Sequence, residues 1–274
     1  MKLLSVAIIA AAAYLGGIVL FAGTMTLWLR VAGHARRPAR LWRALLSEVG
    51  WAALVQLLLP LALILWPRSW RRPRAPGEVP VLMVHGYAQD RADWYVLAWR
   101  LARRGRGSLF AYNYWPFGSI AGAAEKLARA VREVQAATGA PRVHLVGHSM
   151  GGVVCRHYIE QLDGDRHVAS LVAVATPFAG TARVGLALGT CTTELRPGSA
   201  YLVRVGPPVA RGDVRYHALW SRADAMVVPP ASASLAGAGP EHVLLDAGHL
   251  SLLTRRESAE VVAAWLRAGA VTSS

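Results

Sequence analysis

The chain divides by its pattern of apolar and polar positions into an almost uncharged start and a long, regularly punctuated remainder. Residues 3–29 carry no charge and are mostly aliphatic. A run of that length exceeds the ~20 residues needed to span a bilayer as a helix. Trp28 and Arg30 stand at its end, an aromatic and a cation of the kind that sits at a membrane interface. A second apolar run covers 49–66 and is interrupted by Gln56 and Pro60. At ~1.5 Å per residue it reaches about 27 Å, just enough to cross. It reads either as a second span or as a helix lying in the interface. The segment 67–78 is rich in Pro and Arg and reads as a linker.

From residue 79 the pattern changes. Short apolar blocks at 79–84, 109–114, 143–146, 171–175, 216–220 and 243–245 predict strands, bounded by Gly, Pro or polar residues. Between them, apolar residues recur at helical spacing over 93–104, 121–137, 150–162 and 257–267. Gly139 and Pro141 stop the second of these helices. Strands alternating with helices predict βαβ units, hence a mainly parallel sheet covered on both faces. The gap of about 177–214 breaks the alternation and leaves room for a small cap. The expected organisation is a membrane segment over 1–66, a linker over 67–78 and an α/β domain over 79–274.

Charge sharpens this picture. The chain of 274 residues has a formal charge of +14. Lys2 and nine arginines lie in the first 77 residues against Glu48 alone, so the basic excess flanks the apolar runs. That distribution suits anionic lipid headgroups and argues against nucleic acid as a partner. The first run reads as an uncleaved anchor, because it is longer than the 7–15 apolar residues of a signal peptide and no small-x-small cleavage site follows. Arg30, Arg36, Arg37, Arg40 and Arg43 between the runs favour a cytoplasmic loop. If both runs span, the α/β domain lies on the periplasmic side of an inner membrane. Arg68, Arg71, Arg72 and Arg74 pull the other way, so the side stays open at this stage. Cys155 and Cys191 form no disulfide framework and read as a packed and an incidental residue.

The candidate chemistry starts at Gly147-His148-Ser149-Met150-Gly151, a G-x-S-x-G sequence between a predicted strand and a predicted helix. Such a turn must be sharp enough to lift Ser149 above the sheet. A serine hydroxyl is a weak nucleophile at neutral pH and needs a base, itself oriented by a carboxylate. In this strand–turn–helix setting the chain order is Ser, acid, His. His249 follows the last strand and precedes the terminal helix, which makes it the expected base. His85, His167, His217 and His242 fit less well, with His85 expected to orient its own loop. Asp224 follows the strand 216–220 and is the expected acid. Asp246 is its competitor, whereas Asp213 precedes that strand and falls at the opposite edge. The oxyanion of an acyl-transfer intermediate needs fixed donors. The backbone N–H groups of Met150 and Tyr87 are the candidates. No metal cluster or phosphate-cradling loop stands out, and the chemistry needs no cofactor.

Together these motifs resemble bacterial triacylglycerol lipases and related carboxylesterases of the α/β-hydrolase superfamily. The resemblance rests on Val84-His85-Gly86-Tyr87, on residues 146–152, on Ala175-Thr176-Pro177-Phe178-Ala179-Gly180-Thr181 and on residues 196–202. Asp224 to Pro229 and Gly248-His249-Leu250 complete it. It implies hydrolysis of acyl esters or lipids by Ser149, Asp224 and His249. One departure is Phe178, where such lipases often carry His. A thioesterase or acyltransferase would use the same three residues, and a silent membrane scaffold could retain them.

Overall fold

The computed structural model describes residue 50, residues 69–71, residues 78–186 and residues 188–267. The apolar run 3–29, and the run 49–66 apart from Gly50, lie outside the described residues. So do the spans expected there. Among the described residues no helix is long and apolar enough to cross a membrane.

Among the described residues seven strands form one sheet, in chain order β1 (Ser69–Arg71), β2 (Val81–Val84), β3 (Ser108–Tyr112), β4 (Val143–His148), β5 (Val168–Val174), β6 (Arg215–Ser221) and β7 (Glu241–Leu244). Their spatial order is β1-β3-β2-β4-β5-β6-β7. Every neighbouring pair is parallel except β1 with β3. Strand β1 is a departure from the linker reading of 67–78. Ser69, Trp70 and Arg71 lie between Pro67 and Pro73, and this proline-free stretch can pair on one side at a sheet edge, where a nearby proline costs no ladder bond.

The central strands are buried along their whole length, β4 over six residues and β5 over seven. Continuous apolar runs of this kind suit parallel strands covered on both faces. Helices α1 (Tyr95–Ala102) and α6 (Arg256–Arg267) pack on one face, with Leu97, Leu101, Val262 and Leu266 against Val146, Val172 and Leu219. Helices α2 (Ile120–Thr138) and α3 (Met150–Gln161) cover the other, with Leu127, Val131 and Val154 against Leu82, Leu145 and Leu171. The α2 stripe of Ile120, Ala124, Leu127, Val131 and Val134 has the i, i+3/i+4 spacing that places one helix face on the sheet. Ser119 caps its start by accepting from Gly122 N–H, and Gly139, at φ 66°, closes its end by donating to the Gln135 carbonyl.

The predicted strands recur with shifted ends. Strand β5 begins three residues before the predicted block because Ser170, though polar, is buried on a hydrogen bond of 2.7 Å to His144 Nδ1. Strand β3 stops at Tyr112, and Tyr114 leaves the ladder to stack on His85 at 4.4 Å. The interval read as a cap holds two short helices, α4 (Thr190–Glu194) and α5 (Ala200–Val205). Arg156 of α3 anchors its far end by donating to the carbonyls of Val205, Gly206 and Pro207.

Candidate active site

All functional segments leave the same edge of the sheet, because parallel strands carry their C-terminal ends to one side. Ser149 follows β4, Asp224 follows β6 and His249 follows β7. The loop His85-Gly86-Tyr87 follows β2 at the same edge.

Ser149 sits between β4 and α3 with φ 53° and ψ −128°. A non-glycine residue there carries strain on the order of 1–3 kcal/mol and persists only if its surroundings enforce it. The enforcement is visible. Ser149 N–H donates to the Val174 carbonyl at 2.8 Å, and its own carbonyl accepts from Gly152 N–H at 3.0 Å. Any Cβ on Gly151 would strike the Val84 carbonyl oxygen, so β2 and α3 meet backbone to backbone below the turn. The result is a half-buried serine between the buried His148 and Met150.

His249 Nδ1 and Asp224 Oδ2 are 2.8 Å apart, and both side chains are buried. The other oxygen of Asp224, Oδ1, accepts from Met226 N–H at 2.8 Å and Val227 N–H at 3.0 Å. The carboxylate is thus held at both oxygens, and a carboxylate facing Nδ1 fixes the tautomer that leaves Nε2 able to accept a proton. The imidazole lies 4.6 Å, centroid to centroid, from the ring of His148, next to Ser149 in the chain. Asp246, the rival acid, instead accepts from Arg255 at 2.9 Å and is half exposed. Asp213 is exposed beside Arg142, and His242 pairs with Glu257 at 3.0 Å. His217 stacks on Trp265 at 4.9 Å, away from the serine loop.

The loop after β2 is fixed by its own polar groups. His85 Nδ1–H donates to the Gly86 carbonyl at 3.0 Å, and its Nε2 accepts from Tyr114 N–H at 3.3 Å. Tyr114 Oη donates back to the His85 carbonyl at 2.7 Å. His85 is therefore the neutral Nδ1–H tautomer, and burial lowers its pKa to about 4. Both of its ring nitrogens are engaged in holding the loop. In a trans peptide the carbonyl of Gly86 and the N–H of Tyr87 point in opposite directions. Holding that carbonyl on His85 turns the Tyr87 N–H away from it. Met150 N–H opens helix α3, where the first amides have no intrahelical acceptor. Neither N–H is taken by another backbone group among the described residues. Gly86 makes the approach to the serine possible: a Cβ there would come within 2.8 Å of the Ser149 Cβ.

Two further polar side chains hold the surrounding loops: Gln89, outside every sequence motif, and Thr181, at the end of the 175–181 motif. Gln89 Oε1 accepts from Gly86 N–H at 2.7 Å and lies 2.9 Å from His148 Nδ1. Thr181 Oγ1 donates to the Met226 carbonyl at 2.7 Å and accepts from Val228 N–H at 3.0 Å, which ties the acid's loop to the start of the cap. Gln89 has no sequence signal, because a glutamine in a loop is common at surfaces, and the 175–181 motif marks Thr181 without showing what it binds. Phe178, the departure from the lipase pattern, is buried in the core beneath the cap.

Aromatic and aliphatic side chains gather beside Tyr87. Tyr87 Oη holds Leu188 of the cap by both its N–H and carbonyl, each at 3.0 Å. Phe117 meets Tyr87 edge-on at 5.2 Å, and Trp115 meets Phe117 at 5.1 Å. Trp115 and Leu188 are exposed beside them. Cys155 and Cys191 are both buried, free thiols. Among the described residues no three His, Cys, Asp or Glu side chains group as a metal site.

Residues 79–188 match the model of the alpha/beta hydrolase fold family. Triacylglycerol lipases of Pseudarthrobacter phenanthrenivorans and Burkholderia plantarii are each 34% identical to this chain over 116 residues, 39% of its length. Those matches span 35% and 32% of the two lipases, about a third of each. The crystal structure of the mature Bacillus licheniformis lipase BlEst2 superposes with a TM-score of 0.62 at 16% identity, covering 72% of this chain and 95% of that one. The parallel sheet with its antiparallel edge, the serine turn after β4 and these likenesses agree on one architecture: the described domain has the α/β-hydrolase fold.

Proposed function

We propose that the chain is a serine hydrolase that cleaves carboxylic acyl esters through an acyl-enzyme intermediate. The observation that carries this reading is the buried His249–Asp224 pair at 2.8 Å, set at the same sheet edge as the strained Ser149 turn. A serine, an oriented imidazole and two amides that no backbone group takes among the described residues form the minimal set for acyl transfer.

The reaction runs in two halves. Ser149 Oγ attacks the ester carbonyl carbon while His249 Nε2 takes the hydroxyl proton. Asp224 keeps Nδ1 protonated and stabilises the imidazolium. The carbonyl π electrons move to the oxygen, which accepts hydrogen bonds from Tyr87 and Met150 N–H. Collapse breaks the C–O bond, and the departing alkoxide leaves as alcohol with the proton from His249. Water then gives its proton to His249 and attacks the acyl-serine. A second collapse releases the carboxylic acid and returns the proton to Ser149.

The apolar rim of Tyr87, Phe117, Trp115 and Leu188 suits an aliphatic acyl chain. The named lipase relatives favour ester or lipid substrates over thioesters or acyl transfer. The uncharged run at 3–29 and the arginines that follow it support anchorage in an inner membrane. Two spans would place the domain in the periplasm. A phosphatase reporter fused after residue 274 reads that topology directly: activity on intact cells supports it, and silence there overturns it.

The function is tested with a fluorophosphonate probe and a substrate panel. Intact-mass analysis is expected to show one adduct on the wild type and none on Ser149→Ala at an unchanged melting temperature. Turnover of p-nitrophenyl esters and triglycerides should exceed that of acyl-CoA thioesters, and adding alcohol acceptors should not divert the acyl group. A folded wild type that takes up no probe refutes the hydrolase.

A further inference from the structure

We propose that Gln89 is a positioning residue that ties the loop carrying the Tyr87 amide to the base side of the site. This inference rests on the hydrolase reading above. Three contacts carry it. Gln89 Oε1 accepts from Gly86 N–H at 2.7 Å, the amide directly before the Gly86–Tyr87 peptide. The same oxygen lies 2.9 Å from His148 Nδ1. The other ring nitrogen of His148, Nε2, lies 3.2 Å from the carbonyl of His249. A hydrogen-bonded link therefore runs from the oxyanion loop, through one glutamine oxygen, to the imidazole of His148, whose ring packs 4.6 Å from that of His249.

Two features make the link directional. His148 is fully buried, and burial with the neighbouring His249 pushes its pKa well down, so its ring carries a single proton. Both ring nitrogens face acceptors, so the one proton serves one of them; on Nδ1, at the shorter contact, it donates to Oε1 and leaves Nε2 in packing contact only with the His249 carbonyl. Oε1 thereby accepts twice, from Gly86 and from His148, and cannot rotate away without leaving two buried donors unpaired. The glutamine Nε2 is buried and finds no protein partner among the described residues. The oxygen is thus the half of the side chain that matters, and this assigns the amide orientation as well. Gly86 is packed so closely that a Cβ there would strike Oε1, which shows how little room the loop has to drift while Gln89 stays in place.

The expected consequence lies in transition-state geometry rather than in substrate affinity. Losing one oxyanion donor outright costs roughly 100- to 1,000-fold in kcat, and misplacing a catalytic group by an ångström costs about 100-fold. Removing the holder of a donor, with the donor still present, should cost roughly 10- to 100-fold.

The experiment compares wild type, Ser149→Ala, Gln89→Leu, Gln89→Asn and Gln89→Glu in full-length protein. It measures kcat and KM on p-nitrophenyl butyrate, the rate of fluorophosphonate labelling, and melting temperature. Gln89→Leu keeps the bulk and loses the acceptor. Its kcat and labelling rate should both fall 10- to 100-fold with KM changed less than about threefold. Gln89→Asn keeps the amide but withdraws it by one methylene, so it should fall similarly, and it carries the test if the leucine variant does not fold. Gln89→Glu presents an accepting oxygen at the same reach and should recover most of the lost kcat. A purely structural glutamine would lower the melting temperature and leave kcat of the folded fraction intact. With active wild type and dead Ser149→Ala, unchanged kcat in Gln89→Leu overturns the positioning role and leaves the hydrolase standing. Equal losses in Gln89→Leu and Gln89→Glu also overturn it. Wild type that neither turns over nor labels overturns both readings.

Discussion

Replacing Asp224 by asparagine tests the site at its most constrained atom. The new side chain is nearly isosteric, so packing should survive. Its amide has two possible orientations. In one, the oxygen stays where Oδ1 now accepts from Met226 and Val227 N–H at 2.8 and 3.0 Å, and the NH2 faces His249. In the other, the NH2 faces those two amides, and both buried N–H groups lose their acceptor at about 1–3 kcal/mol each. Two backbone donors outweigh one ring nitrogen, so the first orientation wins. His249 Nδ1 then faces a donor and must become the acceptor. Its proton moves to Nε2, and the imidazole can no longer take a proton from Ser149. The cost of this wrong tautomer in the best-characterised serine triad is about 10⁴ in kcat, equivalent to roughly 5.5 kcal/mol of transition-state stabilisation. The assay is kcat/KM on a p-nitrophenyl ester beside a thermal melt. The expected result is a loss of about 10³- to 10⁴-fold at nearly unchanged melting temperature, against less than about threefold for Asp246→Asn. The reasoning fails if Asp224→Asn keeps more than a tenth of wild-type activity, or if Asp246→Asn is the more damaging change.

Other outcomes follow from the same geometry. Thr181→Val removes the acceptor for the buried Val228 N–H and the donor to the Met226 carbonyl. It should cost about 1–3 kcal/mol in denaturant unfolding and slow turnover by loosening the Asp224 loop; no change in either would refute the tie. Gly151→Ala places a methyl against the Val84 carbonyl and should yield little folded protein, seen as loss of both the cooperative melt and the probe adduct. The buried His85, His144 and His217 have pKa values lowered to about 4, 3 and 4, chiefly by burial. Each folded-state pKa lies below the ordinary 6.5, so unfolding takes up protons once the pH drops below 6.5. Stability should therefore decline between pH 6.5 and pH 4, at up to about 1.4 kcal/mol per pH unit for each such histidine. His217→Phe keeps the stacking on Trp265 and should flatten that decline; a melting temperature flat from pH 7 to pH 5 in wild type would contradict it.

The sequence alone determined the alternation of strands and helices from residue 79, the parallel sheet and the identities at the serine turn. These are local matters. Apolar runs report buried strands, helical spacing reports one packed face, and glycines around Ser149 report a turn too tight for side chains. The choice of His249 also followed from chain order, because the last strand must deliver its loop to the catalytic edge. The choice of candidate acid was legible only in part. Asp224 and Asp246 both follow a strand, and only their tertiary partners differ: Asp224 meets His249, whereas Asp246 is taken by Arg255 of the segment entering α6. Strand β1 lay hidden in a segment whose prolines and arginines suggested a linker, since pairing with β3 depends on where the sheet edge is. Gln89 carried no signal, and Thr181 only its place at the end of the 175–181 motif. Each works by reaching a backbone amide of a segment brought close by the fold, and such a contact depends on distance in space, which chain spacing does not encode.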